Sequence, residues 1–273
     1  MTGKLGILAG GGSLPSLIIE ACRQSGRDLF VVAFENQADV DLVADVPHAW
    51  VRLGAAGKTL KLLKDASVKE LIFAGRIARP TMAALRPDAK ALEFFAKMGT
   101  KVFGDDGLLR ALAETLEAEG FVVTSPTAIL GDLQVAKGTL GDVGPDNSAR
   151  VDISRGIDVL NALSPVDVGQ ATAVQEGLVL GIEAVEGTDA LIERCALLKR
   201  DGPGPVLVKI RKLGQDSRID LPTIGHATIR RVRDAGFRGI AIEANAALVL
   251  EREHVIATAN EAGLFVIAVT VEN

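Results

Sequence analysis

The chain has 273 residues, 48% hydrophobic and 24% charged, with a formal net charge of −5, one Trp and no Tyr. Its length and mean hydropathy of +0.28 allow one large or two ordinary domains with ample core, and its acidic balance without a basic run excludes a typical nucleic-acid binder. Cys22 and Cys195 are too few and too far apart for a disulfide framework or a zinc site, and no run approaches the ~18 apolar residues of a membrane span. With no signal-like segment at the start, the expectation is a soluble protein of the reducing cytoplasm.

Residues 4–34 read as strand, glycine turn, helix, strand. Leu5–Ala9 is the first strand, Gly10-Gly-Gly-Ser-Leu-Pro15 the turn, and 16–25 carries apolar residues at helical spacing. A helix start behind glycines offers backbone N–H groups to a phosphate, which makes the Gly10–Pro15 turn a candidate nucleotide contact. The alternative is a plain tight turn, since Pro15 replaces the third glycine of a dinucleotide fingerprint. Strands are expected at 49–53 and from Glu70, the latter opening into Gly75-Arg76. Ligands in open α/β sheets sit at the carboxyl ends of strands, so Gly75, Arg76 and Arg79 are placed near the same crevice. Helical patterns at 88–98 and 107–119 and a strand at 121–124 complete a doubly wound parallel sheet.

Between 131 and 150 the pattern lapses into Gly, Asp, Pro, Asn and Ser. The expected organisation is a first domain over 1–131, a linker over 132–150 and an α+β domain over 151–273. The second half reads as a helix at 152–163, a hairpin from 171–175 and 178–185, and a helix capped by Thr188. A strand at 206–210, a helix at 226–235, strands at 239–243 and 247–250, a helix at 253–262 and a strand at 264–271 follow.

Two acidic stretches each follow a strand in this half: Glu183 with Glu186-Gly-Thr-Asp189, and Gln215-Asp-Ser-Arg-Ile-Asp220. If the second is extended, Asp216, Arg218 and Asp220 project to one side. Carboxylates there suit a hard cation and the Arg suits a phosphate, with Lys209 on the strand leading in. Hydrolysis of a phosphoric anhydride needs that set, whereas a solvated turn with an Asp–Arg ion pair is the plainer alternative. His48, His226 and His254 lack ligand spacing, and no Gly-x-Ser-x-Gly elbow appears.

These residues resemble the LpxI-type UDP-2,3-diacylglucosamine pyrophosphatases of lipid A synthesis. The resemblance rests on Gly6-Ile-Leu-Ala-Gly-Gly-Gly-Ser-Leu-Pro15, Phe73-Ala-Gly-Arg-Ile-Ala-Arg-Pro80 and Gly104-Asp-Asp-Gly-Leu-Leu109 in the first half. Glu183-Ala-Val-Glu-Gly-Thr-Asp-Ala190 and Gln215-Asp-Ser-Arg-Ile-Asp-Leu-Pro-Thr-Ile-Gly225 carry it in the second. It implies an α/β fold with a Rossmann-like parallel-sheet N-terminal domain that binds UDP and a separate α+β C-terminal domain with the catalytic acidic loops and acyl-chain binding. The implied reaction is Mg²⁺-dependent hydrolysis of UDP-2,3-diacylglucosamine to UMP and 2,3-diacylglucosamine 1-phosphate (lipid X). By the same resemblance Asp220, Asp189, Arg218 and Gln215 are catalytic, and Asp220, Asp216, Asp189 and Glu186 hold the metal. Gly11, Gly12, Ser13, Leu14, Gly75, Arg76, Thr188, Lys209 and Thr223 bind substrate.

One departure is Lys212-Leu213, where many relatives read Lys-Pro; it loosens the start of the loop, because proline would fix the backbone. Peripheral contact with the inner membrane face and a homodimer are further expectations, with no nucleic-acid partner. The competing readings are a non-catalytic nucleotide-binding or regulatory protein of the same fold, and an oxidoreductase suggested by the glycine turn and Glu35.

Overall fold

The first strand, β1 (Leu5–Ala9), is buried along its whole length, as expected of a strand covered by helices on both faces. The computed structural model describes residues 3–78, 81–98, 105–131, 133–216, 218–219 and 221–271. Within it the chain is mixed α/β and divides into two compact units, residues 1–131 with 216–220, and 132–215 with 221–273.

The first unit continues through α1 (Leu14–Ser25), β2 (Leu29–Phe34), β3 (His48–Val51), α2 (Ala56–Asp65) and β4 (Glu70–Ala74). After these come α3 (Met82–Leu85), α4 (Ala89–Met98), α5 (Asp105–Ala118), β5 (Val122–Val123) and α6 (Pro126–Leu130). The strands form one sheet in the order β3-β2-β1-β4-β5, parallel throughout. Helix α1 turns Ile18, Ile19 and Cys22 inward at helical spacing, where they pack with Ile7, Val31 and Ile72. On the other face Leu60, Leu63, Ala113 and Leu116 pack with Leu8, Val32 and Leu71. The chain grows from β1 towards β3 and then reverses to β4 and β5, so the carboxyl ends of β1 and β4 lie side by side at the reversal point. The short helices α3 and α6 have no counterpart in the sequence reading, because four or five residues are too few for an amphipathic period to show.

The second unit contains β6 (Gly138–Leu140), α7 (Asn147–Leu163), β7 (Ala171–Gln175), β8 (Leu178–Ile182), α8 (Gly187–Ala196) and β9 (Val206–Lys209). It ends with β10 (Thr223–Ile224), α9 (His226–Asp234), β11 (Gly239–Glu243), β12 (Leu248–Val249), α10 (Arg252–Glu261) and β13 (Phe265–Val269). Its main sheet has the order β6-β13-β11-β9-β7-β8. Strands β9, β11 and β13 are parallel, while β7, β8 and β6 are antiparallel to their neighbours. The hairpin β7–β8 is present, but Leu248–Val249 pairs with Thr223–Ile224 in a small sheet of its own. The stretch expected as a linker carries β6, which pairs with β13. Its Gly-rich, strongly polar surroundings hide a three-residue edge strand from any periodicity argument. Cys22 and Cys195 are buried free thiols, and burial raises both above their ordinary pKa. Among the described residues no helix is long and apolar enough to cross a membrane.

Candidate functional site

In the first unit the glycine turn is clamped to the end of β4. Gly10 N–H donates to the Ala74 carbonyl at 2.8 Å, Gly11 N–H to the Arg76 carbonyl at 2.9 Å, and Arg76 N–H back to the Gly11 carbonyl at 2.8 Å. The two turns approach so closely that a Cβ on Gly10 would lie 2.3 Å from the Arg76 oxygen. A Cβ on Gly75, whose φ is +88°, would lie 2.5 Å from the Gly11 oxygen. Both glycines are therefore demanded by backbone packing alone. Gly12 and Ser13 are exposed beyond the clamp, and Leu14 begins α1 half-buried against the core. Ser13 makes no side-chain cap bond to the helix it precedes. The helix start thus presents backbone N–H groups at the reversal point, a geometry suited to an anion. Gly75 and Arg76 are exposed beside it; Arg79 lies outside the described residues.

The stretch 216–219 also belongs to the first unit. It is a turn, closed by Ile219 N–H to the Asp216 carbonyl at 3.1 Å, so the extended alternative does not describe it. Ile219, 9% exposed, joins the hydrophobic cluster of Leu8, Val32, Leu116 and Phe121. Arg218 grips Asp216 with Nε to Oδ1 at 3.1 Å and a terminal N–H to Oδ2 at 2.8 Å, and reaches Glu117 at 2.6 Å. Hydrogen bonding to Arg218 holds the Asp216 carboxyl below its ordinary pKa of 3.8 against the opposing effect of burial. The same bonds, to Asp216 first and Glu117 second, push the Arg218 guanidinium still higher. Asp220 lies outside the described residues.

In the second unit the antiparallel register puts Ala171 of β7 opposite Lys209 of β9, and Ile182 of β8 opposite Thr172. The last residue of β9 and the residues just after β8 are therefore brought to one end of the sheet. Lys209, 7% exposed, donates from Nζ to Thr188 Oγ1 at 2.8 Å. The Thr188 hydroxyl donates in turn to Glu183 Oε1 at 2.6 Å, and Glu183, 6% exposed, takes Gln170 N–H on Oε2 at 2.9 Å. Thr188 was expected to cap α8. The N-cap is Glu186, and Thr188 stands inside the first turn with its hydroxyl committed to Glu183.

The remaining named residues of this unit are engaged in contacts of their own. Glu186 pairs with Arg194 at 2.7 Å. Burial disfavours its charge, but the Arg194 bond and the N–H groups of Glu186 and Ala184 outweigh that and lower its pKa. Asp189 faces Arg231 at 3.7 Å. Gln215 is buried, and its Oε1 accepts the Lys212 N–H at 3.0 Å, tightening the turn that begins there. Lys212 itself is buried with Nζ on Asp167 at 2.6 Å. Leu213 N–H donates to Ser164 Oγ at 2.6 Å, a bond proline could not make, so this backbone is tied down by a different means than proline would use. Thr223 donates to the Leu221 carbonyl at 2.9 Å.

The structure thus joins Lys209 and Thr188 directly, while Asp216 and Arg218 pair with one another in the other unit. Sequence reading missed Glu117, Asp167, Gln170, Arg194 and Arg231 as partners of these groups. Glu243 accepts Arg211 N–H at 2.8 Å. None carries a local signal: each meets its partner only through strand order or helix packing. Among the described residues no group of three or more His, Cys, Asp or Glu is gathered closely enough to hold a metal.

Residues 4–133 match the LpxI N-terminal domain and residues 136–267 the LpxI C-terminal domain. The chain is 40% identical over 273 residues to the UDP-2,3-diacylglucosamine pyrophosphatase LpxI of Caulobacter vibrioides, with 97% of each chain covered. Among solved structures, the UDP-glucose 4-epimerase of Thermus thermophilus in complex with NAD aligns at a TM-score of 0.31 and 13% identity, over 98% of this chain and 85% of that one. A perosamine N-acetyltransferase mutant of Caulobacter crescentus aligns at 0.27 and 17% identity, over 52% and 49%. Structural likeness that low carries no argument.

Proposed function

The chain belongs to the LpxI family, and we propose that it is an enzyme of lipid A biosynthesis that hydrolyses the pyrophosphate bond of UDP-2,3-diacylglucosamine. The observation that carries this reading is 40% identity along 97% of both chains to a pyrophosphatase of that name. Water adds to one phosphorus and the bridging oxygen leaves with the other, giving UMP and 2,3-diacylglucosamine 1-phosphate.

The parallel strand order and the glycine turn at its reversal point support a Rossmann-like domain over 1–131 that takes the uridine nucleotide. Gly11, Gly12, Ser13 and Leu14 would offer backbone N–H groups to phosphate, with Gly75 and Arg76 alongside. The second unit supplies a separate α+β domain carrying the acidic loop after β8 and the two acyl chains. There the buried Lys209 ammonium, held by Thr188, would stabilise charge developing on phosphoryl oxygens. Asp220 is proposed as the residue that activates water or binds metal. Asp189, Arg218 and Gln215 are proposed as further catalytic residues and Thr223 as a substrate contact.

Mg²⁺ is the proposed cofactor. Asp216, Asp189 and Glu186 supply hard carboxylate oxygens of the kind Mg²⁺ prefers. Mg²⁺ is commonly held by one or two carboxylates with substrate phosphates and water, so the proposal requires no closed cage of acids. When bound, the ion would neutralise phosphate charge and lower the pKa of an attacking water. The cytoplasm, with peripheral contact at the inner membrane face where the lipid substrate resides, is the proposed location, and a homodimer the proposed assembly.

The deciding experiment is UMP release from UDP-2,3-diacylglucosamine by the purified chain, with Mg²⁺ and with EDTA. Release that EDTA abolishes is expected. Release that persists in EDTA sinks the metal proposal, and no release under either condition sinks the hydrolase reading.

A further inference from the structure

The hydrogen-bond directions around Thr188 decide what its hydroxyl can do. A threonine hydroxyl has one proton to give and lone pairs to accept with. Here the proton goes to Glu183 Oε1 at 2.6 Å, and the oxygen accepts from Lys209 Nζ at 2.8 Å. Glu183 cannot turn away from this task, because its second oxygen takes Gln170 N–H at 2.9 Å and the side chain is buried. Thr188 therefore has no proton left for a phosphate. Lys209 has three donors, of which one goes to Thr188 among the described residues.

We infer that Glu183 is a positioning residue: by taking the Thr188 proton it turns Thr188 Oγ1 into an acceptor that fixes the Lys209 ammonium, so that Lys209 and not Thr188 donates to the diphosphate. The inference rests on the pyrophosphatase reading. It adds a residue that touches no substrate and reverses the role expected of Thr188. The sheet end explains why the arrangement holds. Glu183 follows β8, Lys209 ends β9, and β7 lies between them with its Gln170 neighbour bonded to Glu183. A carboxylate buried this way would be costly alone, and it is tolerated because a hydroxyl and a backbone N–H meet it, the hydroxyl itself taking a bond from the Lys209 ammonium.

The substitution Glu183→Gln tests the device. An amide offers one oxygen, and the rigid Gln170 N–H claims it, so the NH₂ turns to Thr188 and its hydroxyl proton is driven elsewhere. Two readouts follow. The Lys209 ζ-ammonium signal in proton–nitrogen NMR, recorded without substrate, is expected to be sharp in the wild-type chain, broadened in E183Q and T188V, and restored in T188S. Values of kcat/KM for UMP release are expected to fall roughly 10–100-fold in E183Q, the loss typical of a charge-assisted hydrogen bond. In the double variant E183Q/K209M they should fall no further than in K209M.

A purely structural Glu183 would instead make the losses multiply and leave the ammonium signal of folded E183Q intact; either result overturns the inference. Should E183Q not fold, T188V against T188S carries the same decision. If the wild-type chain releases no UMP, the functional reading fails by itself, and the ammonium pattern still decides whether Glu183 sets the Thr188 hydroxyl.

Discussion

The turn at Asp216–Ile219 and the Lys209–Thr188–Glu183 chain use similar parts, a cation with acceptors close in space, yet they handle charge in opposite ways. The Arg218 side chain is 42% exposed, so water reaches the guanidinium that bonds Asp216 and Glu117. Lys209 and Glu183 are 7% and 6% exposed, so each bond there replaces hydration that cannot return. The first arrangement organises a loop at little energetic stake. The second fixes the direction of each proton, because a buried donor or acceptor left without its partner costs far more than an exposed one.

The largest expected effect comes from breaking the buried member. Lys209→Met leaves Thr188 Oγ1 without its donor. It is expected to lower kcat/KM roughly 10²–10³-fold, the loss typical of a single donor to developing negative charge. Denaturant titration should also show a loss of about 1–3 kcal/mol, the usual cost of removing one partner of a buried hydrogen bond. A variant of wild-type stability would mean that Thr188 does not need the ammonium as its donor.

The exposed member should divide differently, with its stability resting on Ile219 and not on its charges. Ile219→Ala is expected to cost about 2 kcal/mol, the low end for such a truncation, because Ile219 sits at the margin of its cluster. Arg218→Gln should stay within about 1 kcal/mol, as exposed ion pairs do. Finding Arg218→Gln the more destabilising of the two would reverse the contrast.

The smallest effect is one of pH. The Asp216 carboxyl is depressed below 3.8 in the folded chain, so its contribution is complete above that value and is lost as pH falls through the lower, folded value. An NMR titration of the Asp216 carboxyl should give a midpoint under 3.8. A midpoint above that value would show that Arg218 does not hold it in solution.

Much of the framework was legible in the sequence. The buried strands β1, β2 and β4 show as apolar runs and the hairpin β7–β8 as two runs around a glycine turn, while α1, α7 and α9 show apolar residues at helical spacing. Local pattern is enough for these because burial of one face imposes a period on the sequence. The Gly10-Gly-Gly turn could be read as a phosphate cradle, but the sequence alone did not reveal that Gly10 and Gly75 are needed to let two turns pass. That requirement appears only where β1 and β4 are neighbours.

The side-chain assignments divide along the same line. The amino-acid order by itself determined the family, the mixed α/β character and the identity of the acidic stretches, since each is carried by contiguous residues. The tertiary structure alone decided that Asp216, Arg218 and Ile219 join the first unit and that Thr188 serves Glu183 in place of capping α8. It likewise decided that Lys209 and Glu183, 26 positions apart in the chain, meet through one hydroxyl. Hydrogen bonds of this kind depend on sheet order and on which groups lose their water, and neither is written in local periodicity.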